Sequence, residues 1–118
     1  MIPQLAPADF ALGCASLPAG APEPIVLDVR EPWELQTASV KVDGFTFVHI
    51  PIRDVPARIE QLKADLPAHQ PVACLCHHGA RSMQVANLLA QNGFTHVVNL
   101  KGGINAWSQQ RDASVPQY

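Results

Sequence analysis

Cysteine, basic residues and long apolar runs are all scarce in this chain. Its 118 residues hold 3 cysteines, Cys14, Cys74 and Cys76. An odd number cannot pair completely, so no disulfide framework is implied and a reducing compartment suits the protein. Lys and Arg number 8 against 10 Asp and Glu, a formal net charge of −2. That excludes the basic surface that nucleic acid or an anionic membrane would require. No apolar run approaches the ~18–20 residues of a membrane span. Residues 1–13 hold no Lys or Arg and carry Asp9 with Pro3 and Pro7, so they do not read as a secretory leader. The expectation is a cytoplasmic protein with no membrane or nucleic-acid partner.

What is present is an ordinary globular composition, 47% hydrophobic and 15% charged. The length suits one domain, residues 1–118, with an N-terminal helix and loop over 1–24 and a tail at 114–118. Eleven prolines are scattered as loop punctuation. Periodicity predicts alternating strands and helices. Ile25 to Val29 is a short, β-branched run between Pro24 and the polar Arg30-Glu31-Pro32, which suits a buried strand. Further strands are predicted over 45–50, 71–76 and 97–100. Helices are predicted over 7–17, with Phe10, Leu12 and Leu17 as apolar contacts, and over 32–37, 54–66, 81–92 and 104–110, with Asp54 as a cap and Gly93 as a left-handed stop. Residues 18–24 read as a loop. Strands separated by helices need crossovers, so the fold class is α/β, a small, mainly parallel five-stranded sheet with helices on both faces. The fifth strand is placed as a short one near Ile2. Ligands in such sheets sit beyond the carboxyl ends of the strands, which directs attention to Arg30, Pro51, the segment after Leu75, and Lys101.

After the third of these strands comes Cys76-His77-His78-Gly79-Ala80-Arg81-Ser82, a loop with the cysteine at its mouth that runs straight into a helix. Backbone N–H groups in such a turn can form a concave anion nest, and the helix dipole adds positive potential at that end. Gly79 permits a positive φ, and Arg81 adds a permanent forked cation. The field favours thiolate over thiol, so Cys76 is the candidate nucleophile beside a pre-built oxyanion site.

These residues also resemble a family. The loop from Cys76 to Ser82 is similar to the active-site loop of the rhodanese sulfurtransferases. Leu27-Asp28-Val29-Arg30-Glu31-Pro32-Trp33-Glu34 resembles that family's first signature, His49-Ile50-Pro51 the end of its second strand, and Gly102-Gly103-Ile104-Asn105-Ala106-Trp107 its closing motif. The resemblance implies a rhodanese-like fold and a two-step sulfur transfer. A thiosulfate-like anion donates its outer sulfur to Cys76, and a thiol or cyanide acceptor removes it from the resulting persulfide; a sulfur-donor protein is an alternative source. Catalysis would rest on Cys76, the anion loop on His77, His78, Gly79, Ala80 and Arg81, and support on Asp28 and Arg30, with no metal and no cofactor. Four residues stand between Cys76 and Arg81. The related phosphatases and arsenate reductases place five there, so the count favours sulfur over phosphate. A persulfide relay without free-standing turnover remains an alternative. The family's usual Gly-His-Ile-Pro stretch is replaced over residues 38–45, which alters a neighbouring loop.

Bland roles fit the remaining candidates. Cys74 is assigned to packing and Cys14 to a helix without a further role. Cys74, Cys76, His77 and His78 lack the second spaced ligand pair of a usual zinc site. Asp28, Arg30 and Glu34 read as one ion-pair cluster bracing the sheet end. His49, His69 and His96 read as surface or capping residues, and Trp33 and Trp107 as packing. Arg81 at a helix N-terminus is electrostatically unfavourable alone, and an anion is expected to compensate it.

Overall fold

The computed structural model describes residues 2–17 and 19–118. Short apolar runs bounded by prolines form the strands β1 (Gln4–Leu5), β2 (Ile25–Asp28), β3 (Thr46–His49), β4 (Val72–Leu75) and β5 (Val97–Leu100). Between them lie α1 (Phe10–Ala15), α2 (Pro32–Thr37), α3 (Val55–Asp65) and α4 (Ala80–Gln91), and α5 (Gly103–Gln110) follows β5. The strands form one five-stranded sheet in the order β1-β5-β4-β2-β3. Every pairing is parallel. The expected architecture is therefore present, and the short strand expected near Ile2 is the edge strand β1.

Alternation along the central strands divides the core in two. Ile25, Leu27, Val29, Val72, Cys74 and Cys76 meet Val55, Ile59, Val85 and Leu89 of α3 and α4 on one face. Val26, Ala73 and Leu75 meet Phe10, Phe45, Ile104 and Trp107 on the other. There Phe10, Phe45 and Trp107 lie 5.4–5.9 Å apart between ring centroids, two of the pairs edge-on. Such pairs add about 0.5–1.5 kcal/mol each beyond burial.

Register positions the site. Asp28 lies between His49 and Leu75 in neighbouring strands, so Arg30 and the loop after Leu75 leave the sheet side by side. The chain turns to β3 after β2 and to β5 after β4, on opposite sides, so a topological switch point lies between the two central strands.

Four local expectations are corrected. Asp54 makes no side-chain cap; it ends a 3-10 turn, Ile52–Asp54, that leads into α3. Leu12, expected as a core contact, is 73% exposed, because the helix around it is only six residues long and buries Phe10 alone. Trp33, expected to pack, is 61% exposed on the outer side of α2. Residues 114–118 are not a free tail: Val115 is buried and its carbonyl accepts the Ser108 hydroxyl at 2.5 Å. Of the loop expected over 18–24, residues 19–24 have no regular structure, and Pro18 lies outside the described residues. Among the described residues, no helix is long and apolar enough to cross a membrane.

Candidate active site

The loop that follows β4 is held from two sides. Gly79 caps α4 with φ +112°, a conformation that strains any L side chain. On the other side the first amides of α5 have no partner inside their own helix, and they meet the loop's carbonyls. Ile104 N–H donates to Cys76 O at 2.9 Å and Asn105 N–H to His77 O at 3.2 Å. This approach requires Gly103, where a Cβ would stand 2.4 Å from both carbonyl oxygens. The Gly102-Gly103 turn of the closing motif thus shapes the nucleophile's loop from behind.

Cys76 was expected at the mouth of that loop. It is instead only 1% exposed, on the same sheet face as Cys74. Its sulfur accepts the Gly79 N–H at 3.0 Å, and Ser82 Oγ lies 3.3 Å away. The single Ser82 proton has two other acceptors in reach, Asn99 Oδ1 at 2.5 Å and Gly79 O at 3.2 Å. Asn99 is fixed in turn, since its amide donates to Gly79 O at 3.1 Å and Gln4 Oε1 at 3.0 Å. Cys74 is sealed off, and burial pushes its thiol up to about 12. That fits the packing role assigned to it.

The cations are arranged differently from the expectation. Asp28, Arg30 and Glu34 are linked as expected, but not as one ion-pair cluster: Arg30 pairs with Asp28 and reaches only the backbone carbonyl of Glu34, at 3.3 Å, while the Glu34 carboxylate pairs with Arg81. Arg30, wholly buried, grips Asp28 through Nε at 2.9 Å and Nη2 at 2.6 Å. Arg81 makes a bidentate pair with Glu34, Nη1 to Oε2 at 2.7 Å and Nη2 to Oε1 at 2.8 Å. The anion that compensates Arg81 is therefore the protein's own carboxylate on α2. Glu34 also accepts the Glu31 N–H at 2.8 Å, the reach-back bond of a helix start. The Arg81 bonds hold its carboxyl at about 2 against burial, which alone would raise it. His49 Nε2 lies 2.7 Å from Arg30 O, so its proton sits on that nitrogen and caps the loop after β2.

Tyr118 joins these parts. Its hydroxyl donates to Glu34 Oε1 at 2.8 Å and accepts from Arg30 Nη1 at 3.0 Å. Its ring lies flat on His77, centroids 3.8 Å apart, and His78 stacks on His77 at 3.9 Å. Burial lowers the His77 imidazole below its ordinary value, and its buried Nε2 has no hydrogen-bond partner.

Of the residues proposed from sequence, the loop from Cys76 to Arg81 and the pair Asp28 and Arg30 thus occupy one end of the sheet. Ser82, Asn99, Gly103, Glu34 and Tyr118 complete the arrangement. Ser82 was legible: with Val85, Ala86 and Leu89 it falls on the buried stripe of α4, and a hydroxyl there calls for a role. No local signal marks Tyr118, which arrives from 84 residues beyond Glu34. Among the described residues no group of three or more His, Cys, Asp and Glu is placed to hold a metal. An apolar hollow of about 500 Å³, lined by Leu5, Phe10, Cys14, Pro24, Pro71 and Val98, lies at the opposite, amino end of the strands.

Comparison with known proteins agrees with this geometry. Residues 15–110 match the Rhodanese-like domain. The chain is 40% identical over 93 residues to the Rhodanese-like/PpiC domain-containing protein 12, chloroplastic, of Arabidopsis thaliana, covering 79% of this chain but only 30% of that protein. It is 31% identical to a Sulfurtransferase of Allochromatium vinosum over 72% of each chain. It is 32% identical to the Thiosulfate sulfurtransferase GlpE of Vibrio cholerae over 70% of each. The crystal structure of a rhodanese-related protein from Thermoplasma volcanium superposes with a TM-score of 0.71 at 28% identity, over 92% of this chain and 93% of that one. The four motifs, the parallel sheet and the cysteine loop at its switch point agree with these matches, and the chain belongs to the rhodanese-like domain family, whose members include sulfurtransferases.

Proposed function

We propose that the chain is a sulfurtransferase that carries sulfane sulfur on Cys76. The thiolate attacks the outer sulfur of a thiosulfate-like anion, the donor's S–S bond breaks, and sulfite leaves with the bonding pair. A thiol or cyanide acceptor then attacks the outer sulfur of the persulfide and restores the thiolate. The observation that carries this reading is the Cys76 sulfur, which accepts the Gly79 N–H at 3.0 Å where α4 begins. Amide and helix dipole are aimed at one sulfur position before any substrate arrives, with the Ser82 hydroxyl 3.3 Å away, a preorganised setting for a bound persulfide. In this reading His77, His78, Gly79 and Ala80 form the loop, and Asp28 and Arg30 brace it. Arg81 ties it to α2. The reaction needs no metal or organic cofactor, and a reducing cytoplasm suits its free thiols.

The test is intact-mass analysis after mixing with thiosulfate. Wild type should gain one sulfur that cyanide removes, and Cys76→Ser should gain none. Equal uptake by the two would refute the assignment. One observation favours a second reading, a relay fed by another protein's persulfide: Arg81 is neutralised by Glu34 and is not free for a small dianion. Faster loading from a cysteine desulfurase than from thiosulfate would select the relay.

A further inference from the structure

The sulfur is buried, yet its partner must come from outside, so some part of the border has to move. Three sides of the border are tied down. One continues into β4 and α4. The second is bonded through the Ile104 and Asn105 amides, and the third is clamped by the Arg81–Glu34 pair. Beside the loop lies the Tyr118 side chain, stacked on His77, the residue next to Cys76, and reached by a segment with no regular structure after α5. It is held by two hydrogen bonds and a ring stack. Trp33 stands edge-on at 6.2 Å from it, exposed. The stacked His77 has its Nε2 buried without a hydrogen-bond partner, and that unmet bond makes the closed arrangement easier to open.

We propose that Tyr118 is a strap across the mouth of the Cys76 site and sets the size of the molecule that reaches the sulfur. A small displacement admits a small anion or nucleophile. A thiol carried on a peptide or protein has to displace the ring from His77 and break both hydroxyl bonds. The inference rests on Cys76 being the reacting sulfur, and it concerns access, so it can be tested apart from sulfur transfer.

The experiment uses the full chain with Cys14→Ser, which leaves Cys76 as the reporting thiol beside the sealed Cys74. Iodoacetamide and fluorescein maleimide serve as small and bulky probes, followed by intact mass over time. Tyr118→Ala should raise the bulky-probe rate about ten- to a hundredfold, the factor for losing a bond to a charged group, and the small-probe rate by less than about threefold. Tyr118→Phe keeps the stack and loses both hydroxyl bonds, and it should raise the bulky-to-small ratio by less than Tyr118→Ala does. An unchanged ratio in either variant, or equal acceleration of both probes, overturns the strap. A wild type that takes no sulfur from thiosulfate but shows the ratio change would refute the donor and leave the strap standing.

Discussion

Acid should loosen the site through one carboxylate, Glu34. Its two oxygens receive four donors: two from Arg81, one from Tyr118 and one from the Glu31 backbone. A proton on that carboxyl would remove an acceptor and add a donor with no partner, so the folded protein holds it at about 2, against an ordinary 4.5. The folded value is the lower one, so the unfolded chain takes up the proton first. The stabilisation is complete above about pH 4.5 and drains away as pH falls through about 2. The 2.5-unit gap, from 4.5 to about 2, corresponds to about 3 kcal/mol. Removing one partner of a buried ion pair costs about 3–5 kcal/mol, and Arg81 is one-third exposed, which favours the lower end. Against a total of about 5–15 kcal/mol, the loss is large. Urea unfolding of wild type and Glu34→Gln, compared from about pH 6.5 down to about pH 2.5, isolates this group from the other carboxylates. The variant should be less stable by about 3 kcal/mol near neutrality, with the difference shrinking toward the acid end. A difference that stays constant across the range, or is below about 0.5 kcal/mol throughout, would refute the reasoning.

Two further substitutions probe the loop. Gly103→Ala would drive a methyl group into two carbonyl oxygens from a φ of +61°, and should cost more than about 4 kcal/mol in urea unfolding; a loss under about 1 kcal/mol would mean that α5 does not set the loop. Ser82→Ala leaves Cys76 with the Gly79 amide alone and should slow alkylation of Cys76 by iodoacetamide at least about tenfold. An unchanged rate would place the Ser82 proton on Asn99 at all times.

Much of the fold was legible because its signals are local. Proline and polar residues bracket each apolar run, and the helix faces repeat at three and four residues. The misreadings arise where a residue's role depends on something distant. Arg81 reads as a site for a ligand's anion because the sequence does not show that parallel pairing of β2 with β4 brings Glu34 of α2 within reach of it. Trp33 reads as core by composition, and the burial of Glu34 on the same short helix turns Trp33 outward. Tyr118 reads as tail because polar, proline-containing ends often are. Its anchor lies in Val115 and in two ion pairs made elsewhere in the chain. Cys76 reads as lying at the loop's mouth, and it lies 1% exposed because it packs into the core with Cys74, Val29 and Val85 beneath a loop that the α5 amides hold in place.

The charges around the sulfur form a closed set. Arg30 is matched by Asp28 and Arg81 by Glu34, so among the described residues neither guanidinium is left over for the loop. What faces the sulfur is dipolar: an amide, a hydroxyl and the end of a 12-residue helix carrying about half a positive charge. Dipoles of this kind match one negative charge better than two. A dianion arriving at about 4 Å from a thiolate meets about 4 kcal/mol of repulsion per charge at an effective dielectric near 20. A free Arg81 would offset part of it, and the bound one does not. Rapid use of a small dianion therefore requires Glu34 and Arg81 to part, whereas a donor of lower charge does not. Tyr118 is hydrogen-bonded to that same carboxylate, so whatever lifts the strap also removes one of the four donors that keep Glu34 in place. On the strap reading, access to the sulfur and release of Arg81 from Glu34 are coupled through a single side chain.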